Sequence, residues 1–170
     1  MLTQDRLKQL LHYNPDTGDF RWLERPGNPT GWHKSREGTV AGRVMKRRIP
    51  YLQIRVDDRQ YYAHRLAFLY MTGEWPEHYV DHIDGDGLNN RWDNLRGATN
   101  AQNQHNAKNW STNTTGFKGV CFAKDTGKYQ AQITQNKKAI YLGQYDTPEE
   151  AHAAYRGAAE LLRGEFARTE

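Results

Sequence analysis

Residues 78–109 constrain this chain most, because they are rich in Asp, Asn and His and poor in apolar side chains. A stretch of that composition buries too little apolar surface to make a core of its own. It is expected as a loop, or as a site braced by the segments on either side. Those segments must then supply the cores. Five Trp and ten Tyr among 170 residues suit that task, since large rings fill small cores that aliphatic side chains alone would leave loose. An aromatic content of 12% also argues against disorder.

Charge follows the same three-part division. Between Ala41 and Arg65 there are seven Lys/Arg (Arg43, Lys46, Arg47, Arg48, Arg55, Arg59, Arg65) against two Asp. Between Gly116 and Tyr141 there are five Lys against Asp125 alone. Between Asp81 and Arg96 the sign reverses, with four Asp against two Arg. Basic flanks around an acidic centre suit a polyanion held while a cation sits in the middle. The single cysteine, Cys121, excludes a disulfide framework within the chain and a Cys-rich zinc site. No apolar run approaches a membrane span and the N-terminus lacks a basic-then-apolar leader, so the expected setting is cytoplasmic, with no membrane partner.

Local patterns divide the flanks into elements. Leu2 to His12 is amphipathic, with Thr3 placed to cap it. Asn14-Pro15-Asp16-Thr17-Gly18 is a turn signal before a strand over Asp19–Leu23, and Pro26 to Gly38 reads as a loop. Tyr51 to Val56 alternates as a strand. Asp57-Asp58-Arg59 turns the chain into a second strand over Gln60–Ala63, and a short buried helix over His64–Met71 follows. Beyond residue 112, Phe117–Ala123, Lys128–Gln135 and Lys138–Tyr145 read as three strands joined by hairpin-length turns. A helix follows, with Thr147 as N-cap, Pro148 in its first turn, Glu150 closing a capping box and Gly164 ending it. Its apolar positions lie on one side, so it covers one face of the sheet and leaves the polar face open.

The central stretch reads Asp81-His82-Ile83-Asp84-Gly85-Asp86-Gly87, then Asn89-Asn90-Arg91-Trp92-Asp93-Asn94-Leu95-Arg96, then Thr99, Asn100 and Asn103. Thr99 and Gln102 have capping-box spacing, which sets Asn103 in the first turns of a helix. A helix carrying Asn100, Asn103, Asn106 and Asn109 has poor propensity, so something other than helix stability favours those residues. Phosphodiester hydrolysis needs a base for water and a cation for the phosphate. A hard cation such as magnesium keeps several waters, so one carboxylate (Asp81) and one amide oxygen (Asn103) form a minimal ligand set. His82 titrates near neutrality and is the natural base. Neighbours on a strand face opposite ways, so Asp81 and His82 serve together only where the strand ends or bends. Two rival readings stand beside this one. One is a calcium loop, in which His82 would hold position 1 and Asp93 position 12. The other is a merely hydrogen-bonded turn. Arg91 and Arg96 either stabilise phosphate charge or pair with Asp84, Asp86 or Asp93. His105 is a runner-up to Asn103, and His64 reads as a buried structural residue.

The run from Asp81 to Asn103 resembles the HNH nuclease motif, in the variant with Asn at the third position. The resemblance implies His82 as general base, Asp81 and Asn103 as metal ligands, and Asn94 as the brace of the loop that aims His82, with Arg96 also in the catalytic set. The implied metal is a divalent cation, magnesium or alternatively manganese. The spacing resembles phage intron-homing members, which implies the cytoplasm of a bacterial host. The N-terminal half, with Tyr13 to Gly18, His64-Arg65-Leu66, Gly73 and Pro76, resembles the front half of phage HNH proteins.

Gly116 to Val120, Lys128 to Ile133, Leu142 to Ala151 and Ala154-Tyr155 resemble the plant ethylene-response-factor (APETALA-type) DNA-binding domain. That resemblance implies a sheet face laid into the DNA groove, with Lys118, Gln130, Gln132, Thr134 and Tyr141 facing it. Lys124, Lys128, Lys137 and Lys138 would add phosphate contacts. The expectation is an α+β chain. A ββα-metal (His-Me finger) nuclease domain over 1–109, with its motif core at 78–106, is braced by an N-terminal β-hairpin region. A three-stranded antiparallel sheet packed on one helix follows over 112–170. The expected function is a monomeric, metal-dependent endonuclease acting on double-stranded DNA. The alternatives are a non-catalytic DNA-binding regulator and, with no residue to support it, the nuclease subunit of a DNA-packaging assembly.

Overall fold

The structure is a computed structural model that describes residues 1–24, 36–47, 49–106 and 113–168. Most of the expected loop at 26–38, together with Arg48 and Asn109, lies outside the described residues. The chain is α+β and divides into two compact units, Met1–Asn100 and Ala101–Glu170.

In the first unit, α1 (Gln4–Leu10) starts where Thr3 accepts a hydrogen bond from the Arg6 N–H. It is shorter than the amphipathic run. Leu11 is already extended and opens β1 (Leu11–Tyr13), which pairs antiparallel with β2 (Phe20–Trp22). Strand pairing along Leu11–Tyr13 therefore overrides helical periodicity, and His12 leaves the helix. The turn between them is held by Asn14, whose Oδ1 accepts from the Asp16 and Thr17 amides. A three-stranded sheet in the order β3-β4-β5 follows, built from β3 (Arg43–Met45), β4 (Tyr51–Val56) and β5 (Arg59–Tyr62). Asp57 and Asp58 both adopt positive φ in its tight turn, so β5 begins and ends one residue earlier than its pattern suggested. Helix α2 (Ala63–Thr72) buries His64, Leu66, Ala67 and Leu69 and ends at Gly73 in the left-handed region. Leu7, Leu11, Tyr13, Phe20, Ile54 and Leu66 form one core that reaches Val80 and Leu95 of the central stretch. That stretch is a hairpin of β6 (Tyr79–His82) and β7 (Leu95–Ala98). Helix α3 (Asn100–His105) comes next in the chain, giving the ββα order.

In the second unit, β8 (Val120–Ala123), β9 (Lys128–Gln135) and β10 (Lys138–Tyr145) form an antiparallel sheet with β9 in the centre. The first strand begins at Val120 rather than Phe117. Gly119, at φ +75°, leads into it with the Tyr155 ring standing where a Cβ would be. Helix α4 (Pro148–Arg163) carries the full capping box between Thr147 and Glu150. Ala151, Tyr155 and Ala159 are buried along one stripe, the i, i+4 spacing that faces one side of a helix. They meet Val120, Ala131 and Ile133 of the sheet.

Candidate active site

Strand β6 ends at His82, and there Asp81 and His82 are both buried, at 4% and 5% exposure. The chain turns at once: the Gly85 amide donates to the His82 carbonyl at 2.8 Å and the Ile83 amide to the Asn94 carbonyl at 2.9 Å. The strand end thus falls at the pair that needs it. Across the hairpin Asp81 faces Arg96 and His82 faces Leu95. Arg96 donates to Asp81 Oδ2 through Nε at 3.0 Å and through Nη2 at 2.9 Å. This partner was not among those weighed for Arg96, because the register, invisible in the loop sequence, chose it. Arg91 does pair with Asp93, at 3.0 Å on the exposed surface, where such a pair contributes little.

The loop from Asp84 to Asn94 is a closed hydrogen-bonded unit. Asn94 Oδ1 accepts from the Asp84 amide, and its Nδ2 donates to Asp84 Oδ1 at 3.0 Å and to the Asn89 carbonyl at 2.8 Å. Asp84 also accepts from the Asp86 amide and Asn89 Nδ2. Burial is the largest single influence on Asp84 and raises its pKa. The hydrogen bonds from Asp86, Asn89 and Asn94, with His82 near by, outweigh that and leave the carboxylate below its usual range.

Asn90, to which sequence reasoning gave no role, lies against the His82 ring. It is 2% exposed, and its Oδ1 is 3.3 Å from His82 Nε2. Its Nδ2 donates to the Leu88 carbonyl at 3.0 Å, and its own carbonyl accepts from the Tyr13 hydroxyl at 2.6 Å. Burial, then the charge of Asp93, raises the Tyr13 pKa and keeps that hydroxyl a donor. The Trp92 amide donates to the Pro15 carbonyl at 2.9 Å. Gly18, at φ +78°, lies so close that a Cβ would stand 2.5 Å from the Asn90 carbonyl carbon. The β1–β2 hairpin therefore braces the loop directly, as expected of the N-terminal region.

Around the His82 ring stand His64, edge-to-face at 5.1 Å and 87°, and Tyr51 at 5.9 Å. His64 in turn stacks on Tyr62 at 5.4 Å. Burial pushes the His82 pKa down, although Asn90 and the charges of Asp84, Asp81 and Asp86 pull the other way. Burial pushes His64 further, to about 3, with the charges of His82 and Arg65 adding to the effect. Burial thus favours the neutral form of both rings, the state in which an imidazole accepts a proton. His64 is buried, as its place before an apolar run suggested, yet its Nδ1 meets no hydrogen-bond partner.

For a metal, the first unit offers the buried carboxylate of Asp81. Asn103, partly buried, stands on α3 in the second unit, with His105 two positions further along the same helix. Among the described residues no group of three or more His, Cys, Asp or Glu gathers to hold an ion. The Asp81 carboxylate is a hard oxygen donor, which fits a cation that retains most of its waters. It does not fit a structural zinc site.

In the second unit, buried Ala131 and Ile133 alternate along β9 with Lys128, Gln130, Gln132 and Thr134, so the latter four share the face turned away from α4. Tyr141, 63% exposed, sits across from Gln132. Lys124, Lys137 and Lys138 are exposed. Lys128 is 3.0 Å from Asp146. Lys118 is half-buried, and burial, then the charges of Arg163 and Arg168, lowers its pKa to about 8.

Comparison with known proteins agrees with both halves. A family model described as HNH endonuclease matches residues 61–105, and one described as AP2 domain matches residues 115–165. Protein 3.8 of Escherichia phage T7 is 37% identical over 91 residues, covering 54% of this chain and 74% of that protein. An uncharacterized HNH endonuclease, L560, of Acanthamoeba polyphaga mimivirus is 38% identical over 106 residues, covering 61% of this chain and 54% of that one. The ethylene-responsive transcription factor ERN3 of Medicago truncatula is 43% identical over 70 residues, covering 40% of this chain and 29% of the factor. Among solved structures, that of DNA binding and cleavage by the HNH homing endonuclease I-HmuI aligns at a TM-score of 0.42 and 20% identity. It covers 92% of this chain and 85% of that one. The HNH match takes in Asp81, His82, Asn90, Asn94 and Asn103, and the AP2 match takes in the whole open sheet: the chain belongs to the HNH endonucleases and carries an AP2 domain C-terminal to its nuclease motif.

Proposed function

We propose that the chain hydrolyses phosphodiester bonds of double-stranded DNA with His82 as general base and a divalent cation, magnesium or manganese, held by Asp81 and Asn103. The observation that carries this reading is a buried imidazole beside a buried carboxylate, at the end of one strand. His82 takes a proton from water as the water oxygen bonds to phosphorus. The bond from phosphorus to the departing oxygen breaks, and solvent protonates that oxygen. The cation, when bound, neutralises charge on the phosphate and the departing oxygen. Asn94 keeps the 84–89 loop closed behind His82, and Arg96 sets the Asp81 carboxylate. The pairing of Asp81 with Asn103 rests on the motif spacing.

We take the working domains to be 1–109 and 112–170. The protein acts as a monomer, of the phage homing type, in the cytoplasm of a bacterial host. None of the helices among the described residues is long and apolar enough to cross a membrane.

The test is a supercoiled plasmid incubated with the full chain and magnesium or manganese, beside a gel-shift assay. Nicked or linear product that vanishes with chelator is expected. Shifts without any strand breakage would replace the nuclease reading by that of a non-catalytic DNA-binding regulator.

Lys118 of the AP2 domain, just before β8, gives a second expected result. Lys118 loses its proton near pH 8, and a phosphate beside it would favour the charged form, so binding above that pH takes up a proton. Raising the pH from 7 to 9 should weaken DNA retention and lower its salt slope by about one ion. Lys118→Arg, which stays charged, should lose this pH dependence. An unchanged profile in that variant would remove Lys118 from the DNA contacts.

A further inference from the structure

We infer that Asn90 is a positioning residue that fixes which nitrogen of His82 accepts the proton, and that the N-terminal hairpin holds Asn90 in place for this purpose. The inference rests on His82 being the general base and adds the atom that does the work.

The direction of the Asn90 amide follows from its other contact. A main-chain carbonyl only accepts, so the group facing the Leu88 carbonyl at 3.0 Å is the NH2. The amide oxygen is therefore the group 3.3 Å from His82 Nε2. An amide oxygen only accepts as well, so Nε2 carries the hydrogen and donates it. In a neutral imidazole the other nitrogen then bears the lone pair, and Nδ1 is the atom that takes the proton from water. As the proton arrives, the ring becomes a cation with Nε2–H still aimed at the Asn90 oxygen, and a hydrogen bond from a charged donor is stronger than one from a neutral donor. Asn90 thus favours the protonated ring and blocks the tautomer that could not act.

Its own position depends on residues far away in the chain. Tyr13 donates to the Asn90 carbonyl across 77 positions at 2.6 Å. The Tyr13 ring packs on Phe20 at 4.7 Å between centroids. The glycine at position 18 lets the hairpin touch the Asn90 backbone. A buried asparagine with both amide ends engaged has little freedom to turn over, which is what a tautomer lock requires.

The experiment is nitrogen NMR of the full chain with labelled histidine, together with cleavage kinetics. In the unaltered protein His82 should show one neutral form, hydrogen on Nε2. Asn90→Leu, similar in size but without an acceptor, should populate the Nδ1–H form and lower kcat about 10- to 100-fold, the usual effect of losing a partner that orients a working histidine. DNA retention and KM should stay as they were. Asn90→Asp keeps an acceptor and should retain the Nε2–H form even if Asn90→Leu fails to fold. Tyr13→Phe should lower kcat through Asn90 without altering DNA retention. An Nδ1–H ring in the unaltered protein would overturn the inference, as would an Asn90→Leu variant with unchanged tautomer and unchanged kcat. If His82→Ala cleaves DNA normally, the base assignment falls, while the tautomer measurement still reports on Asn90 independently.

Discussion

Replacing His82 by alanine is expected to lower kcat for DNA cleavage by about 100- to 10,000-fold, the usual contribution of a positioned general base. Gel shifts should be unchanged on the proposed reading, in which residues of the other unit hold the DNA. Folding should also survive. His82 is 5% exposed, and alanine keeps the β6 backbone pairing with Leu95 that holds this strand end. Plasmid nicking and urea unfolding, run side by side, separate loss of chemistry from loss of structure. A His82→Ala protein that nicks plasmid at the original rate would remove the base assignment.

The second large effect concerns Arg96. Its side chain, 13% exposed, is joined through the guanidinium to an Asp81 side chain that is 5% exposed. Removing one member of a buried ion pair leaves the other charged and unsolvated, and costs about 3–5 kcal/mol. That is a large part of the 5–15 kcal/mol by which a domain is ordinarily stable. Arg96→Ala should therefore lower the urea midpoint strongly. Adding Asp81→Asn to that variant should recover much of the loss, since no orphaned charge remains. Manganese should raise the midpoint of Arg96→Ala more than that of the unaltered chain, as a cation replaces the missing positive charge beside Asp81. Equal midpoints for the unaltered protein and Arg96→Ala would mean that the pair does not stabilise the fold.

These two residues differ in how they could be read. The Asp81-His82 pair stands out in sequence because an acid and an imidazole side by side, followed by Asp84-Gly85, already suggest a strand that ends in a turn. Helix α4 was equally plain, with Thr147, Pro148 and Glu150 at its start and alanines at helical spacing. So was β4, whose alternation survives as buried Ile54 and Val56 flanking exposed Arg55. Such signals are local: a cap, a turn or a period is complete within a few residues. The pairing of Arg96 with Asp81 could not be read from the sequence, for the opposite reason. Asp84, Asp86 and Asp93 are nearer to it in the chain than Asp81, and only the β6–β7 register sets Asp81 across from it.

Asn90 carried no signal of its own. In a run of aspartates and asparagines every side chain has the same hydrogen-bonding vocabulary, and no period marks the one that will be buried. The end of α1 was missed in a similar way. Leu11 fits the apolar stripe of a helix as well as it fits a strand, and pairing with Trp22 decided the matter.

The residues alone determined the kinds of chemistry at hand, the two core-forming flanks, and most of the elements that build them. Folding decided which asparagine meets the imidazole and which arginine meets the acid. A side-chain hydrogen bond depends on tenths of an ångström and on direction, and in a polar loop both are set by packing against distant segments such as Tyr13 and Gly18.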